Sequence, residues 1–465
     1  RPRRMLKLIG LALTLLASPP PPVVVAPVAS VPASLPAPLL AHPVRAIHLD
    51  NGFSAVLVPF DSPGVVAYFT LVRAGSRDEV EPGKSGYAHL FEHLMFRGTP
   101  TTSAHAYEER MQSLGADNNA YTTDDYTLYT PTVASTALAD LAALDADRFQ
   151  HLAYSRDAYK DETGAVLGEY NKVASNPLLP MEEALDALAF TRHTYGHTTL
   201  GWKRDVLAMP QAYDYSLAFF RRFYTPDDCT LFVVGDFDAA NIESLVRSQY
   251  GTWAGKRAQT HAPVEPDQTS PRTRAITWKG PTAPRLLEGF RVPGAGANPR
   301  DTAALAVAAS LVLGDASDLY QRLVVKEQKL IDLGFDADDG LHRDAGLLTF
   351  DAKLKSSTSF EEIVRSVDEA FAQLGQGGVA PERVDAVRRH LTSKLALRLQ
   401  TPQAVAGALA RWTALTGDPG GLQAYADALS SVSVDDVIRV AKTYLIPARR
   451  DVVTLTGTIA HGAVR

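Results

Sequence analysis

The chain has 465 residues, of which 46% are apolar and 21% charged, with a formal net charge of −6. That is a globular composition with enough chain for two or three domains, and it excludes a collagen, a disordered tail and a small disulfide scaffold. The acidic balance argues against nucleic-acid binding through bulk charge, and the single cysteine, Cys229, excludes an internal disulfide or a thiolate metal cage.

The first residues read as an address. Arg1, Arg3, Arg4 and Lys7 make a basic start. The largely apolar stretch 6–17 is too short to span a bilayer but suits the hydrophobic region of a secretory signal peptide. Residues 1–30 are assigned to that signal and residues 31–45 to a Pro/Ala-rich linker, because nine prolines between 19 and 43 favour extended, solvated backbone. The expectation is export to the periplasm without stable membrane insertion, since no other segment reads as eighteen consecutive apolar residues.

The body opens with predicted strands at 52–60 and 65–74, rich in Val, Phe and Tyr. Helices follow at 86–95 and 104–114, then a strand at 119–131. A helical run over 136–174 breaks near Tyr154 and Ser155. Helices at 181–192 and 210–224 lead to a strand at 229–235, where Cys229 packs as a small hydrophobe, and to a helix at 239–250. Residues 254–272 lack periodicity and read as a connection between an N-terminal domain (46–253) and a C-terminal domain (273–465). The second half repeats the order. Strands fall at 274–279 and 285–292, helices at 301–313 and 319–327, strands between 330 and 355, helices through 358–445 and a closing strand at 451–458. This is a repeat of element order rather than of residue identity, and it favours an α+β sandwich.

One constellation carries chemistry. His89, Glu92 and His93 lie in a predicted helix, and positions i, i+3 and i+4 share a face, so both imidazoles reach one point with the carboxylate beside them. Two imidazoles suit zinc, and a nearby carboxylate that is not a ligand accepts a proton from water activated at the metal. A catalytic zinc needs a third protein ligand. The predicted helix 157–174 offers Glu162 and Glu169, two turns apart on one face, and spacing alone does not choose between them. His193 and His197 also stand four apart, but with no carboxylate partner in a predicted loop they read as structural.

The His-x-x-Glu-His order is that of the inverzincins. On these residues the chain resembles the pitrilysin/insulinase family of metallopeptidases, in the shorter class that includes the mitochondrial processing peptidase. Val72-Arg73-Ala74-Gly75-Ser76-Arg77-Asp78-Glu79 resembles the family's strand end before the motif, and Asn119-Ala120-Tyr121-Thr122 its substrate-side strand. Glu162 and Glu169 are similar to its paired glutamates, and Asn176-Pro177, His193 to His197 and Leu200-Gly201-Trp202 to later landmarks. The resemblance covers roughly residues 46–460. It implies two homologous α/β sandwich domains in one chain, each a mixed sheet covered by helices, forming half of a clamshell chamber. It further implies a zinc endopeptidase acting on short or unfolded peptides. His89, His93 and Glu169 would hold one Zn2+. Glu92 would be the general base, and Glu162 would orient a ligand. Asn119, Ala120, Tyr121 and Thr122 would form an edge strand to which the peptide adds by main-chain hydrogen bonds.

The second half departs from the active pattern. The family carries an Arg and, seven residues on, a Tyr that steady the substrate carbonyl. This chain has Val324 or Val325 and Ile331 or Asp332 there, and Arg322 has Lys329 at the seventh position. Two readings follow. Either a similar partner chain lacking the zinc motif supplies the pair in a heterodimer, with a homodimer as runner-up, or this chain is a non-catalytic, peptide-binding or scaffold subunit of a peptidase complex.

Overall fold

The computed structural model describes residues 38–337 and 340–458, so the assigned signal peptide and residues 31–37 of the linker lie outside the described residues. The first half contains β1 (Arg45–His48), β2 (Ser54–Pro59), β3 (Val65–Val72), α1 (Tyr87–Leu94), α2 (Ala104–Ser113), β4 (Ala120–Thr122), β5 (Thr127–Tyr129), β6 (Thr132–Ala134), α3 (Leu138–His151), α4 (Arg156–Val173), α5 (Leu178–Ala189), α6 (Lys203–Ala208), α7 (Tyr213–Phe223), β7 (Cys229–Gly235) and α8 (Ala239–Tyr250). The second half contains β8 (Arg272–Trp278), β9 (Arg285–Val292), α9 (Pro299–Leu313), α10 (Asp318–Tyr320), β10 (Leu330–Phe335), β11 (Gly346–Leu354), α11 (Phe360–Gly375), α12 (Pro381–Arg398), α13 (Pro402–Thr416), α14 (Gly421–Ser431), α15 (Val434–Tyr444) and β12 (Arg450–Gly457).

The repeat in element order is a repeat in topology. The first sheet runs β1-β2-β7-β3-β5-β4, with β6 also on β3, and the second runs β10-β11-β9-β12-β8. Read from the other end, the second is β8-β12-β9-β11-β10, which matches β2-β7-β3-β5-β4 strand for strand. The parallel pair β2/β7 has its counterpart in β8/β12, and the neighbouring pairs are antiparallel in both. Both halves are thus mixed sheets covered by helices, an α+β architecture. β4 and β10 are the equivalent free edges.

The first sheet is buried on both faces, as its near-continuous apolar strands require. Side chains alternate: Leu57, Val66, Tyr68, Leu231 and Val233 pack under α1, α3 and α8, whereas Val56, Val58, Ala67, Phe69, Phe232 and Val234 face α13 of the other half. The reciprocal contact exists too. Met181, Ala184 and Leu185 of α5 pack on Leu347, Val453 and Leu455 of the second sheet. Each half therefore lends one helix to cover the other's sheet, and dividing the chain at 254–272 does not divide its cores. That stretch is without regular structure but pinned: Arg257 pairs with Asp78 and Asp228, and Glu265 accepts from the backbone of Arg192 and His193.

Three expectations are corrected. The strand over 119–131 is a hairpin, because Thr123 and Tyr126 close a four-residue turn (Thr123 N–H to Tyr126 O, 2.8 Å). The helix over 319–327 is one α-turn followed by a π-helical turn at Gln321–Lys326, the segment where the Arg of the family pattern is missing. The segment Pro299–Lys326, in which a turn at 314–317 separates α9 from α10, is long and apolar enough to cross a membrane, but 72% of its apolar window is buried in the fold, so it serves the core. α6 escaped the sequence reading because six residues carry too little periodicity.

Candidate metal centre

The helix α1 carries His89, Glu92 and His93 and begins without a side-chain cap. Gly86 precedes it in the left-handed region (φ 88°), where a Cβ would lie 2.7 Å from the Leu200 carbonyl oxygen. The orphan amides are met from outside the helix. Glu79, buried, accepts from Gly86 N–H at 2.6 Å and from Ala88 N–H at 2.7 Å. A carboxylate at a helix N-terminus is the favourable sign for the dipole, although burial pushes its pKa well above the ordinary value against the pull of these amides. Sequence reasoning quoted Glu79 inside a motif but missed this function. The only available signal was an uncapped helix start.

Helix α4 is capped by Ser155, whose hydroxyl accepts from Ala158 N–H. It packs against α1, and its two glutamates divide their work. Glu169 Oε2 lies 3.4 Å from His89 Nε2 and 3.6 Å from His93 Nε2. Glu162 Oε2 accepts from His93 Nδ1 at 3.1 Å, and its other oxygen pairs with Arg97. The bond to Glu162 holds His93 in the tautomer that turns Nε2 toward Glu169, the usual outer partner of a metal-ligating histidine. Burial by itself would lower the His93 imidazole, but Glu162 and Glu169 outweigh it and hold it up at about 9. Burial raises Glu162, and His93 and Arg97 bring it below the usual carboxylate range.

One nitrogen from each of His89 and His93 and one oxygen of Glu169 lie within 4.8 Å of one another, the sole such group found among the described residues. Donors about 2.0–2.1 Å from a tetrahedral ion stand roughly 3.4 Å apart. The separations of 3.4 and 3.6 Å, with two nitrogens and one carboxylate, fit zinc.

Glu92 is buried beside this group and accepts a 2.8 Å hydrogen bond from Thr122 Oγ1 of β4. The structure thus turns Thr122 toward Glu92 and Tyr121 to the opposite face, where its ring lies 6.0 Å from that of Tyr126. Asn119 folds its Oδ1 onto Ala120 N–H at 2.9 Å. His193 is placed on Asp344 (3.0 Å), and His197 Nδ1 lies 3.0 Å from the Thr198 carbonyl oxygen; neither joins the cluster. Val325 and Ile331, two of the four residues that stand near the family's Arg and Tyr positions, are about half exposed.

Two family models match the chain: "Insulinase (Peptidase family M16)" over residues 61–203 and "Peptidase M16 inactive domain" over residues 213–391. A zinc protease PqqE of Helicobacter pylori is 24% identical over 409 residues, covering 86% of this chain and 90% of that one. Among solved structures, a protease from Helicobacter pylori superposes with TM-score 0.82 at 24% identity, covering 89% of this chain and 99% of that chain. The periplasmic protease PqqL from Escherichia coli superposes with TM-score 0.71 at 17% identity, covering 89% of this chain but 47% of that longer one. With family models over both halves and the fold shared over 89% of the chain, the chain belongs to the insulinase family of peptidases, family M16.

Proposed function

We propose that this protein is an exported zinc endopeptidase that cleaves short or unfolded peptides. The observation that carries the reading is the convergence of His89, His93 and Glu169, from two helices, on one point beside Glu92. Held by these three residues, zinc would supply a Lewis acid for a peptide carbonyl and for water. Glu92 is placed to take a proton from the attacking water and to hand it to the leaving amine. Thr122 holds the carboxylate in place, and Glu162 holds His93. The peptide lies along β4, whose outer edge has no strand partner among the described residues.

The chain brings no Arg or Tyr at 324, 325, 331 or 332, and it spans 47% of the longer PqqL chain. Both facts support a second chain that completes a chamber. The preferred partner is a similar chain without the zinc motif but with that Arg–Tyr pair, and a second copy of this chain is the runner-up. The basic, apolar N-terminus supports export to the periplasm. The missing pair also favours a second reading, a non-catalytic peptide-binding subunit, because losing one such donor costs about 10²–10³ in rate.

The test is metal analysis of the purified chain, followed by peptide cleavage with and without a chelator. The reading requires about one zinc per chain, activity that returns when zinc is restored, and a Glu92→Gln variant that keeps its zinc and loses turnover. A protein that binds zinc and peptides but stays inert with every similar partner chain belongs to the second reading.

A further inference from the structure

β4 is a three-residue strand, and its ladder shows which groups face outward. Thr130 N–H donates to Asn119 O and Thr123 N–H donates to Tyr126 O, so residues 119, 121 and 123 turn their backbone groups toward β5. The alternation of an antiparallel pair then leaves the backbone groups of Ala120 and Thr122 on the free edge. Ala120 N–H is already met by Asn119 Oδ1 at 2.9 Å, so a peptide that adds there is held by the Ala120 carbonyl and by Thr122. Its side chains alternate between the two faces of the sheet. One set falls on the face where Thr122 meets Glu92. The other set falls beside Tyr121, because directly opposed side chains stand about 4.5–5.5 Å apart at Cβ.

The Tyr121 face is not closed. A cavity of about 720 Å3 begins at Tyr121 and Tyr126 and runs between the loop carrying His342 and the helices α12, α13 and α14. Trp412 and Tyr425 line its far side, their rings stacked 4.5 Å apart. On α13, Gly407 borders the cavity, and a Cβ there would meet no atom within 4 Å. The space is within the range of small-ligand pockets, about 300–1,000 Å3, and so exceeds one side chain. Asp124, Asp125, Arg398 and Arg411 also line it, and both carboxylates face His342. A charged side chain would leave water there for a site holding charges of both signs, whereas a neutral ring meets aromatic faces and guanidinium groups.

We propose that this cavity is the subsite for bulky, uncharged aromatic side chains of a peptide lying along β4, at residues alternating with those that face Glu92. This rests on the peptidase reading for its substrate but not for its geometry. The second half, which lends α13 to the first sheet, would then select substrates as well as cover the core.

The experiment uses the full chain carrying Glu92→Gln, which stops turnover and leaves the cavity untouched. Fluorescein-labelled decapeptides of Ala and Ser, with one Phe moved through the central positions, are titrated by fluorescence anisotropy. The expected profile peaks at positions two residues apart, about tenfold tighter than the peptide without Phe. Gly407→Leu fills the cavity and should remove most of that Phe advantage, with Gly407→Ala intermediate and available should the leucine variant fold poorly. A flat Phe profile overturns the proposal. So does a Gly407→Leu or Gly407→Ala change that weakens Phe-containing and Phe-free peptides by one common factor, or that weakens neither. Because binding is read without turnover, a preserved Phe profile in a chain whose wild type never cleaves removes the hydrolase reading and keeps the subsite. Zinc-dependent cleavage with a flat profile does the reverse.

Discussion

Thr122 Oγ1 donates to Glu92 Oε2 at 2.8 Å, so the edge strand β4 also holds the carboxylate that stands beside His89, His93 and Glu169. Thr122 is itself tied down, 3.5 Å from the Thr127 hydroxyl, which donates to the Ala74 carbonyl oxygen. Thr122→Val removes the donor and keeps the shape. Hydrogen bonds to charged groups contribute about 1.5–3 kcal/mol, so kcat should fall about tenfold or more with KM and zinc content little changed. Thr122→Ser should restore most of the loss. Steady-state kinetics beside metal analysis checks this, and equal losses in the two variants would dismiss the hydrogen bond as the cause.

Glu162 should matter for metal affinity rather than for the fold. Removing the outer partner of a ligating histidine costs about 10–100-fold in metal affinity. Glu162→Gln is expected to lose zinc to a competing chelator at correspondingly lower chelator concentration, with a melting temperature close to wild type in excess zinc. An unchanged competition curve would show that Glu169 suffices to hold His93.

Glu79→Ala should lower both stability and zinc affinity. Two buried amides at the start of α1 lose their acceptor, a loss of about 2 kcal/mol or more. Thermal melts with and without zinc measure the two effects. A variant as stable as wild type would mean that water replaces the carboxylate.

The junction under the β4–β5 turn predicts a pH window. Asp344 accepts from His193 and pairs with Arg77; its pKa is lowered from 3.8 to about 2, first by that hydrogen bond and then by the guanidinium. A depressed carboxylate contributes stability above 3.8 that is lost as pH falls through 2. His342 is largely covered and faces Asp124, Asp125 and Asp186, with the Tyr195 ring 4.6 Å away and tilted by 40°. Burial would lower its imidazole, but the carboxylates carry it from 6.5 to about 9. A raised histidine contributes stability that is complete below 6.5 and lost as pH rises through 9. Stability from this junction should therefore be greatest between about pH 4 and 6.5. Urea midpoints across pH should show Asp344→Asn flattening the acid side and His342→Gln the alkaline side.

The helix exchange makes the two sheets one cooperative unit. Leu185→Ala on α5 should cost about 2–5 kcal/mol, and hydrogen exchange should rise first in β12, which Leu185 covers, rather than in the first sheet. A single melting transition is expected. Two separated transitions would show that the halves fold independently.

What could be read from the residues follows their spacing. His89, Glu92 and His93 fall within one helix, where the 3.6-residue period alone puts them on one face. The strand at 229–235 and the helix at 239–250 stand where their apolar patterns end. The 119–131 segment misled because Tyr and Thr favour strands on both sides of a turn whose closure depends on backbone hydrogen bonds. Thr122 pointed to the substrate in the sequence, but its hydroxyl found Glu92, a partner thirty residues away that no local pattern names.

The order of most elements, the repeat and the shared face of the motif are written in the residue pattern, because they depend on periodicity within a few turns of chain. Folding in three dimensions brings Glu169 to both histidines and sets Glu162 behind one of them, lays α5 and α13 each on the sheet of the other half, and opens a cavity beside Tyr121. Those relations join residues tens to hundreds of positions apart. They are set by how apolar faces pack against one another, which the local pattern along the chain does not encode.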